Sequence, residues 1–241
     1  MQGIRHDSAA NTLCLLFERL GLKSGYYAVE RAVGAFEDAG HPVVLGIHGT
    51  FLQERNDVET GIFFQESVLF AEFISLLRAD LVFIVGNGFG WSAILAGMAG
   101  ARVVCIDNDE KCIGLTNDMA KSLRLPVEVV HGESPGGVVD IFSDNERRLS
   151  GIDICLIDAE HKSHCAFADY EAAKEFCHED TLFLFHDVLS YNLRAALEKT
   201  TGPVREVLGL ESGMGISTSE KTYRKIETIT KNLVQQGEVN A

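Results

Sequence analysis

Hydrophobic positions follow two different periods along this chain. In residues 11–20 and 26–40 they recur three and four residues apart, which predicts two amphipathic helices. Residues 41–61 favour a short strand and a polar loop. Helical spacing returns in residues 63–77, so we expect a third helix there, packed directly against the core.

From residue 80 onward, short apolar runs alternate with helical segments. The predicted strands are residues 81–86, 102–107, 127–132, 153–158, 181–187, 205–210 and 214–219. The first five are almost continuously apolar, as expected of a parallel sheet covered by helices on both faces. Asp109 is the expected cap of one helix, and another aligns Phe167, Tyr170, Ala173 and Cys177 on one side. This alternation predicts a doubly wound α/β sheet.

The chain's last two strands are joined by only three residues, which is too few for a crossover helix. They should form an antiparallel hairpin at the sheet edge. With 241 residues, the chain is expected to hold one α/β domain over residues 66–241, preceded by an N-terminal helical extension over residues 1–65. The tail after Gly237 is predicted to be disordered.

Composition narrows the class of protein. Hydrophobic residues make up 46% of the chain and charged residues 23%, which is typical of a soluble globular protein. A net charge of −14 would repel a nucleic-acid backbone, and the best membrane candidate is short and carries Glu72. Six cysteines without a CxxC pair indicate free thiols, and the N-terminus does not resemble a secretory signal. These features predict a cytoplasmic protein.

Ligands of open α/β sheets bind beyond the carboxyl ends of the strands. The first predicted strand ends in Gly86, Asn87, Gly88 and Gly90, where glycines let the backbone approach a ligand closely. About twenty residues later, Asp107 ends the second strand and could accept both hydroxyls of a ribose. Together they favour an adenosine-containing ligand. Two alternatives stay open: a tight turn without a ligand, and a dinucleotide fingerprint on Gly88, Gly90 and Ala93.

The ordered series of motifs over residues 65–219 resembles class I S-adenosylmethionine-dependent methyltransferases, in their O-methyltransferase-like branch. The segments that carry the resemblance are "VGNGFG", "CIDND", "VVHGES", "LIDAEHKSHCAFADYEAA", "TLFLFHDVL" and "SGMGISTS". The resemblance implies a Rossmann-like, mostly parallel sheet of seven strands in the order 3-2-1-4-5-7-6. It also implies S-adenosylmethionine as the cofactor.

The same resemblance assigns residues to the cofactor site. They are Gly86, Asn87, Gly88, Gly90, Asp107, Asn108, Glu133, Ser134 and Asp158. One position departs from the pattern, because Ile84 stands where the family usually carries an acidic residue near the methionine ammonium group. A buried ammonium needs a partner, so another carboxylate or a backbone carbonyl must take that place.

The resemblance further implies a metal site and a base. Asp158, His186 and Asp187 have the spacing by which metal-dependent relatives hold a divalent cation such as magnesium, although the second ligand is usually Asp or Glu. A histidine there would weaken the binding of magnesium, select a softer metal, or point away from the metal. His161 matches the general base of the macrolide-sugar enzymes, since a neutral imidazole can accept a hydroxyl proton. The alternative is that His161 only caps the following helix or bonds a backbone carbonyl.

These inferences predict an enzyme that methylates an oxygen of a small molecule, with His161 and Asp158 as catalytic residues. Two alternatives remain: a methyltransferase-like binding protein without catalysis, motivated by Ile84 and His186, and an NAD-dependent oxidoreductase. No nucleic-acid or membrane partner is expected. The apolar faces of the N-terminal helices are compatible with a homodimer.

Overall fold

The computed structural model describes residues 62, 64–88, 90–143, 151–210 and 212–234. The helices predicted over residues 11–20 and 26–40, the loop over residues 41–61 and the tail after Gly237 lie outside these residues. The predicted boundary between residues 65 and 66 therefore stays a prediction.

The described elements alternate along the chain as predicted. The strands are β1 Leu81–Val85, β2 Arg102–Asp107, β3 Val127–His131, β4 Ile152–Ile157, β5 Cys177–Phe185, β6 Val204–Leu208 and β7 Met214–Thr218. The helices are α1 Phe64–Leu77, α2 Trp91–Met98, α3 Glu110–Leu123, α4 Gly136–Ser143, α5 Ser163–Lys174, α6 Arg194–Glu198 and α7 Glu220–Thr230. All seven predicted strands are present, and the predicted third helix is α1.

The strands form one sheet in the order β3-β2-β1-β4-β5-β7-β6, which confirms the predicted topology. The first five strands in this order, β3, β2, β1, β4 and β5, are parallel to one another. β7 runs antiparallel to both β5 and β6, so the predicted hairpin is present and β6 forms the edge. This arrangement brings the carboxyl ends of five strands to one edge of the sheet, where ligands of such folds bind.

Residues 177–187 differ from the prediction. Helix α5 ends at Lys174, and β5 begins at Cys177, which pairs with Ile152 across an irregularity in the register. Cys177 therefore belongs to a strand and not to the helix face on which the sequence had placed it. The strand ends at Phe185, so His186 and Asp187 lie in the turn beyond it. Asp187 has a φ of +58°, a left-handed conformation that aspartate adopts more readily than most residues.

Helices cover both faces of the sheet. Val82 and Ile84 of β1 face one hydrophobic cluster, with residues of α1, α2, α3 and α7. Leu81, Phe83 and Val85 face the other, with residues of α4, α5 and α6. This split follows from the two-residue period of a strand, and it explains why β1 is apolar at every position.

Helix α1 is a core helix. The side chains of Phe70 and Phe73 are 0% exposed, and burying each stabilises the fold by about 1.5–3 kcal/mol. Its 14 residues include Glu66 and Glu72, both buried. Within the described residues, no helix is both long enough and apolar enough to cross a membrane.

The described cysteines are all free. Cys105, Cys112 and Cys155 are buried, and Cys165 and Cys177 are partly buried. Burial raises the pKa of the Cys112 thiol to about 11 and that of Cys177 to about 12. The thiols of Cys112 and Cys177 are therefore protonated and unreactive at neutral pH.

Candidate functional site

The glycine turn after β1 has a backbone that only glycine adopts easily. Gly86, Gly88 and Gly90 have φ values of +89°, +50° and +86°. A Cβ atom on Gly86 would lie 2.3 Å from the backbone oxygen of Asp158, at the end of β4. The missing side chain thus lets the ends of β1 and β4 meet. The close approach that the glycines permit is, at Gly86, an approach to the backbone of β4.

Asp107, at the end of β2, holds this turn in place. Its Oδ2 atom accepts hydrogen bonds from the backbone amides of Asn87 at 2.8 Å and Gly88 at 2.9 Å, and its Oδ1 atom accepts one from Asp109 at 2.9 Å. Charged acceptors make strong bonds of this kind. Asp107 thereby orders the turn, and its side chain is half-buried. Its role toward a ribose stays a prediction.

Asn87 is buried inside the glycine turn. Its Nδ2 atom donates to the backbone oxygen of Gly88 at 2.7 Å and to Oγ1 of Thr116 at 2.9 Å. Its Oδ1 atom is buried and has no hydrogen-bond partner among the described residues. Buried polar atoms are nearly always bonded, so this acceptor is suited to a donor group of a ligand.

Three more residues of the predicted cofactor site lie beside this turn, because β3 and β2 are neighbours. Asn108 and Glu133 are exposed, and Ser134 is half-buried. The side chain of Ser134 donates to Asp169 of α5, whose pKa is raised to about 6 by burial against that hydrogen bond. The segment predicted to flank an adenine is thus fastened to α5.

Helix α1 reaches the glycine turn through Trp91. The indole Nε1 of Trp91, the first residue of α2, donates a 2.8 Å hydrogen bond to Oγ of Ser67. Both side chains are buried. This bond fixes the N-terminal part of α1 beside the turn.

The ends of β4 and β5 bring together acidic and histidine side chains. His186 Nδ1 lies 2.9 Å from Oδ1 of Asp158 and 3.4 Å from Oδ2 of Asp187. His161 Nε2 lies 3.1 Å from Oδ2 of Asp187 and 3.9 Å from Oδ1 of Asp158. The structure therefore unites the four residues that the sequence assigned to the base and the metal site.

Glu66 of α1 is a fifth member of this cluster, and the sequence analysis did not identify it. Its side chain is 0% exposed, and Oε2 lies 3.0 Å from Nε2 of His186. Its other oxygen accepts a 2.5 Å hydrogen bond from Oγ of Ser212. The available signal was weak: a carboxylate inside the apolar helical run of residues 63–77, which has to be buried with a partner.

These contacts change the pKa values of the cluster. The nearby carboxylates of Asp158 and Asp187 raise the pKa of His161 to about 9, against the effect of burial. Burial lowers the pKa of His186, but the charge of Asp158 and hydrogen bonds that the ring donates to three carboxylates hold it well above its usual range. Burial also acts to raise the pKa of Asp158 and Asp187, and the two histidines outweigh it and lower both. The cluster is thus a compact set of opposite charges.

His161 does not cap the following helix. Helix α5 has Lys162 at its N-cap, and that side chain makes no capping hydrogen bond. The ring of His161 is instead stacked on Tyr191, with centroids 4.3 Å apart and planes at 11°. His161 is one-third exposed and Tyr191 is 47% exposed, so both rings border the open side of the site.

A divalent cation fits part of this cluster. One ligand atom from each of Asp158, His161 and Asp187 lies within 4.8 Å of the other two. His186 is different, because both of its ring nitrogens already contact carboxylates. The set predicted from the sequence, Asp158, His186 and Asp187, stays a prediction, since the ring nitrogens of His186 contact Asp158 and Glu66 in this arrangement. The geometry favours His161 as the nitrogen ligand of a cation bound here.

Ile84, where the sequence departs from the expected pattern, is 0% exposed and belongs to the core cluster that also contains Phe70 and Trp91. Its side chain therefore packs under α1 and α2.

Comparison with known protein families gives a match to the part of the chain that carries this site. Residues 84–188 match a family model described as a methyltransferase domain. The match begins in β1 and ends just after Asp187, so it spans the glycine turn, Asp107 and the acid–histidine cluster. No curated protein sequence is significantly similar to the chain.

Solved structures share the fold at low sequence identity. An O-methyltransferase from Bacillus cereus in complex with SAH has a TM-score of 0.59 at 16% identity, over 80% of this chain and 97% of that one. The O-methyltransferase TomG from Streptomyces achromogenes, in complex with SAM, has a TM-score of 0.59 at 12% identity, over 69% and 85%. A methyltransferase from Geobacter sulfurreducens has a TM-score of 0.55 at 19% identity, over 77% and 96%.

Proposed function

We propose that this chain is a class I S-adenosylmethionine-dependent methyltransferase, which transfers a methyl group from S-adenosylmethionine to an oxygen of a small molecule. The observation that carries the proposal is the family match over residues 84–188, which contains every strand end that lines the site. The O-methyltransferases that share the fold are crystallised with SAH or SAM.

The cofactor would lie across the ends of β1, β2 and β3. The turn formed by Gly86, Gly88 and Gly90 would hold it, with open space at Gly88, and Asp107 offers a carboxylate for its ribose. The unpartnered Oδ1 of Asn87 is suited to a donor group of the cofactor. Asn108, Glu133 and Ser134 would border the adenine. When bound, S-adenosylmethionine supplies a methyl group on a sulfonium, which is already a good leaving group.

The chain's own residues then have two tasks, alignment and deprotonation. His161 in its neutral form takes the proton of the acceptor hydroxyl, so that the oxygen attacks as the new O–CH3 bond forms and the S–CH3 bond breaks. Asp158 and Asp187 hold the ring of His161 at the end of β4, next to the glycine turn. Alignment contributes most, because a positioned pair of reactants avoids the entropy loss of a bimolecular encounter.

A divalent cation would be held by Asp158, His161 and Asp187, with His186 outside its ligands, and His161 would then be a metal ligand in place of the base. A cation there would act as a Lewis acid that favours the ionised form of an acceptor hydroxyl. The hard carboxylate oxygens suit magnesium or manganese, and the imidazole admits softer metals.

Several other features of the proposal rest on composition. The net charge of −14 disfavours a nucleic-acid substrate and suits a small acceptor. The free thiols of the described core are typical of proteins in a reducing compartment such as the cytoplasm, which is the location that we propose. A homodimer through the helices predicted over residues 11–20 and 26–40 also stays part of this proposal.

Calorimetric titration with S-adenosylmethionine tests the proposal directly. We expect saturable binding to the wild-type protein and none to a variant with Asp107→Ala. Binding of NAD in place of S-adenosylmethionine would make the chain an oxidoreductase. The burial of Ile84 favours a second candidate, a binding protein without catalysis, and this candidate predicts no binding of either compound.

A further inference from the structure

His186 is held on both sides of its ring. Nε2 lies 3.0 Å from Oε2 of Glu66, and Nδ1 lies 2.9 Å from Oδ1 of Asp158. The ring is 3% exposed and Glu66 is 0% exposed. An imidazole with carboxylates on both nitrogens cannot rotate without breaking a buried charged contact.

Glu66 itself is fixed by a second element. Its Oε1 atom accepts hydrogen bonds from Oγ of Ser212 at 2.5 Å and from the backbone amide of Ser212 at 3.3 Å. Oγ of Ser212 also lies 3.1 Å from Nε2 of His186. Helix α1, the turn after β5 and the loop before β7 are thus joined by one buried polar network.

The network ends at the proposed reaction centre. Oδ1 of Asp158, which His186 contacts, also lies 3.9 Å from Nε2 of His161. The position of this oxygen therefore depends on His186, and the orientation of His186 depends on Glu66. Removing the acceptor at Glu66 would free the ring to turn, and Asp158 would lose the contact that directs it.

We propose that Glu66 is a positioning residue of this site, which acts through His186 to hold Asp158 in the orientation that places it beside His161. The proposal rests on the function proposed above, in which His161 and Asp158 act on the acceptor. It also gives His186 a role as a bridge between two carboxylates in place of the role of metal ligand. Glu66 touches none of the reacting groups itself.

Two other roles for Glu66 make different predictions. As a purely structural residue, it would stabilise α1 without affecting His161. As a substitute for the acidic residue missing at Ile84, it would bind the cofactor's ammonium group, and its loss would weaken cofactor binding.

Glu66→Gln is the test variant, because it keeps the shape of the side chain and one oxygen that can accept from Ser212. Its amide nitrogen cannot accept a hydrogen bond from His186. Glu72→Gln is the matched control, since Glu72 is also a buried glutamate of α1 and the proposal gives it no role in the site. Circular dichroism establishes that both variants are folded.

Nitrogen-15 NMR of the histidine rings is the first measurement. In the wild type, both ring N–H protons of His186 should be visible far downfield, since a buried hydrogen-bonded proton exchanges slowly. We expect Glu66→Gln to remove the Nε2–H signal and to shift the Nδ1 signal of His186 and the ring signals of His161. Glu72→Gln should leave all of them in place. Unchanged His161 signals in a folded Glu66→Gln protein would overturn the proposal.

Titration with S-adenosylmethionine is the second measurement. We expect the dissociation constant of Glu66→Gln to stay within about threefold of the wild type. A loss of tenfold or more would assign Glu66 to the cofactor and overturn the positioning role. Absence of binding to the wild type would reject the proposed function, and the NMR measurement would still decide whether Glu66 controls His161.

Discussion

Asp107 and Asn87 are joined by a 2.8 Å hydrogen bond from the backbone amide of Asn87 to Oδ2 of Asp107, so the end of β2 directly shapes the turn after β1. The same oxygen accepts from Gly88. A carboxylate that also binds a ribose would therefore couple the order of the turn to the presence of the cofactor.

Asp107→Asn should weaken cofactor binding. The amide replaces a charged acceptor with a neutral one, and charged hydrogen bonds contribute about 1.5–3 kcal/mol each. We expect the dissociation constant for S-adenosylmethionine, measured by calorimetry, to rise roughly tenfold or more. Asp118→Asn, on the exposed side of α3, is the control and should bind as the wild type does. Equal affinities for the two variants would remove Asp107 from the cofactor site.

Gly86→Ala and Gly88→Ala should differ in stability. Both positions have a positive φ, which costs a non-glycine residue roughly 1–2 kcal/mol. The new methyl group at Gly86 also meets the backbone oxygen of Asp158, whereas nothing lies within 4 Å at Gly88. In urea unfolding, we expect Gly86→Ala to lose more free energy of unfolding. Similar losses would show that β1 and β4 do not approach so closely.

His161 should titrate unusually high. The carboxylates of Asp158 and Asp187 beside the ring raise its pKa to about 9. The neutral base form then increases as the pH rises toward 9, and methyl transfer should rise with it. Asp187→Asn keeps a residue that tolerates a positive φ and removes one of the two charges. NMR titration should show a lower pKa for His161 in this variant. An unchanged pKa would contradict the contact between His161 and Asp187.

The same shift makes stability depend on pH. The pKa of His161 rises from 6.5 to about 9 on folding. The folded state thus favours the charged ring, and this stabilisation is fully present below pH 6.5 and is lost as the pH rises through about 9. Thermal unfolding across this range should show a smaller decrease in His161→Gln than in the wild type. An identical decrease in both proteins would assign the effect to other groups.

Asp109→Ala should destabilise helix α3. Oδ1 of Asp109 accepts hydrogen bonds from the amides of Lys111 and Cys112, as the sequence predicted for a cap. Loss of such a cap costs about 1 kcal/mol. Asp118→Ala, in the same helix and exposed, should cost much less in the same denaturant titration. No difference between them would mean that the helix start is stabilised by other contacts.

The sheet could be predicted because its strands carry local signals. β2 was predicted to the residue, since its apolar run ends in an acidic residue that cannot be buried without partners. The hairpin followed from a connection too short for a helix. β5 was predicted to begin later than Cys177, because residues 177–180 are mostly polar and their pairing with β4 rests on backbone hydrogen bonds that side chains do not reveal.

The site could be predicted only where its residues follow strand ends. Asp107, Asp158 and Asp187 are found in this way, because topology places the ends of parallel strands together. Glu66 is separated from His186 by 120 positions, and neither local period nor spacing relates them. His186 bridges two carboxylates only because Glu66 lies on its other side. The sequence could therefore place His186 in the site but could not identify its partners.

The chain contains one tryptophan, and Trp91 lies where α1 meets the glycine turn. Indole emission depends on the polarity around the ring and on the hydrogen bond at Nε1, which here goes to Ser67. All of the protein's tryptophan fluorescence therefore originates at this junction. A change in that emission when a ligand is added would report movement at the junction between α1 and the turn, without any label.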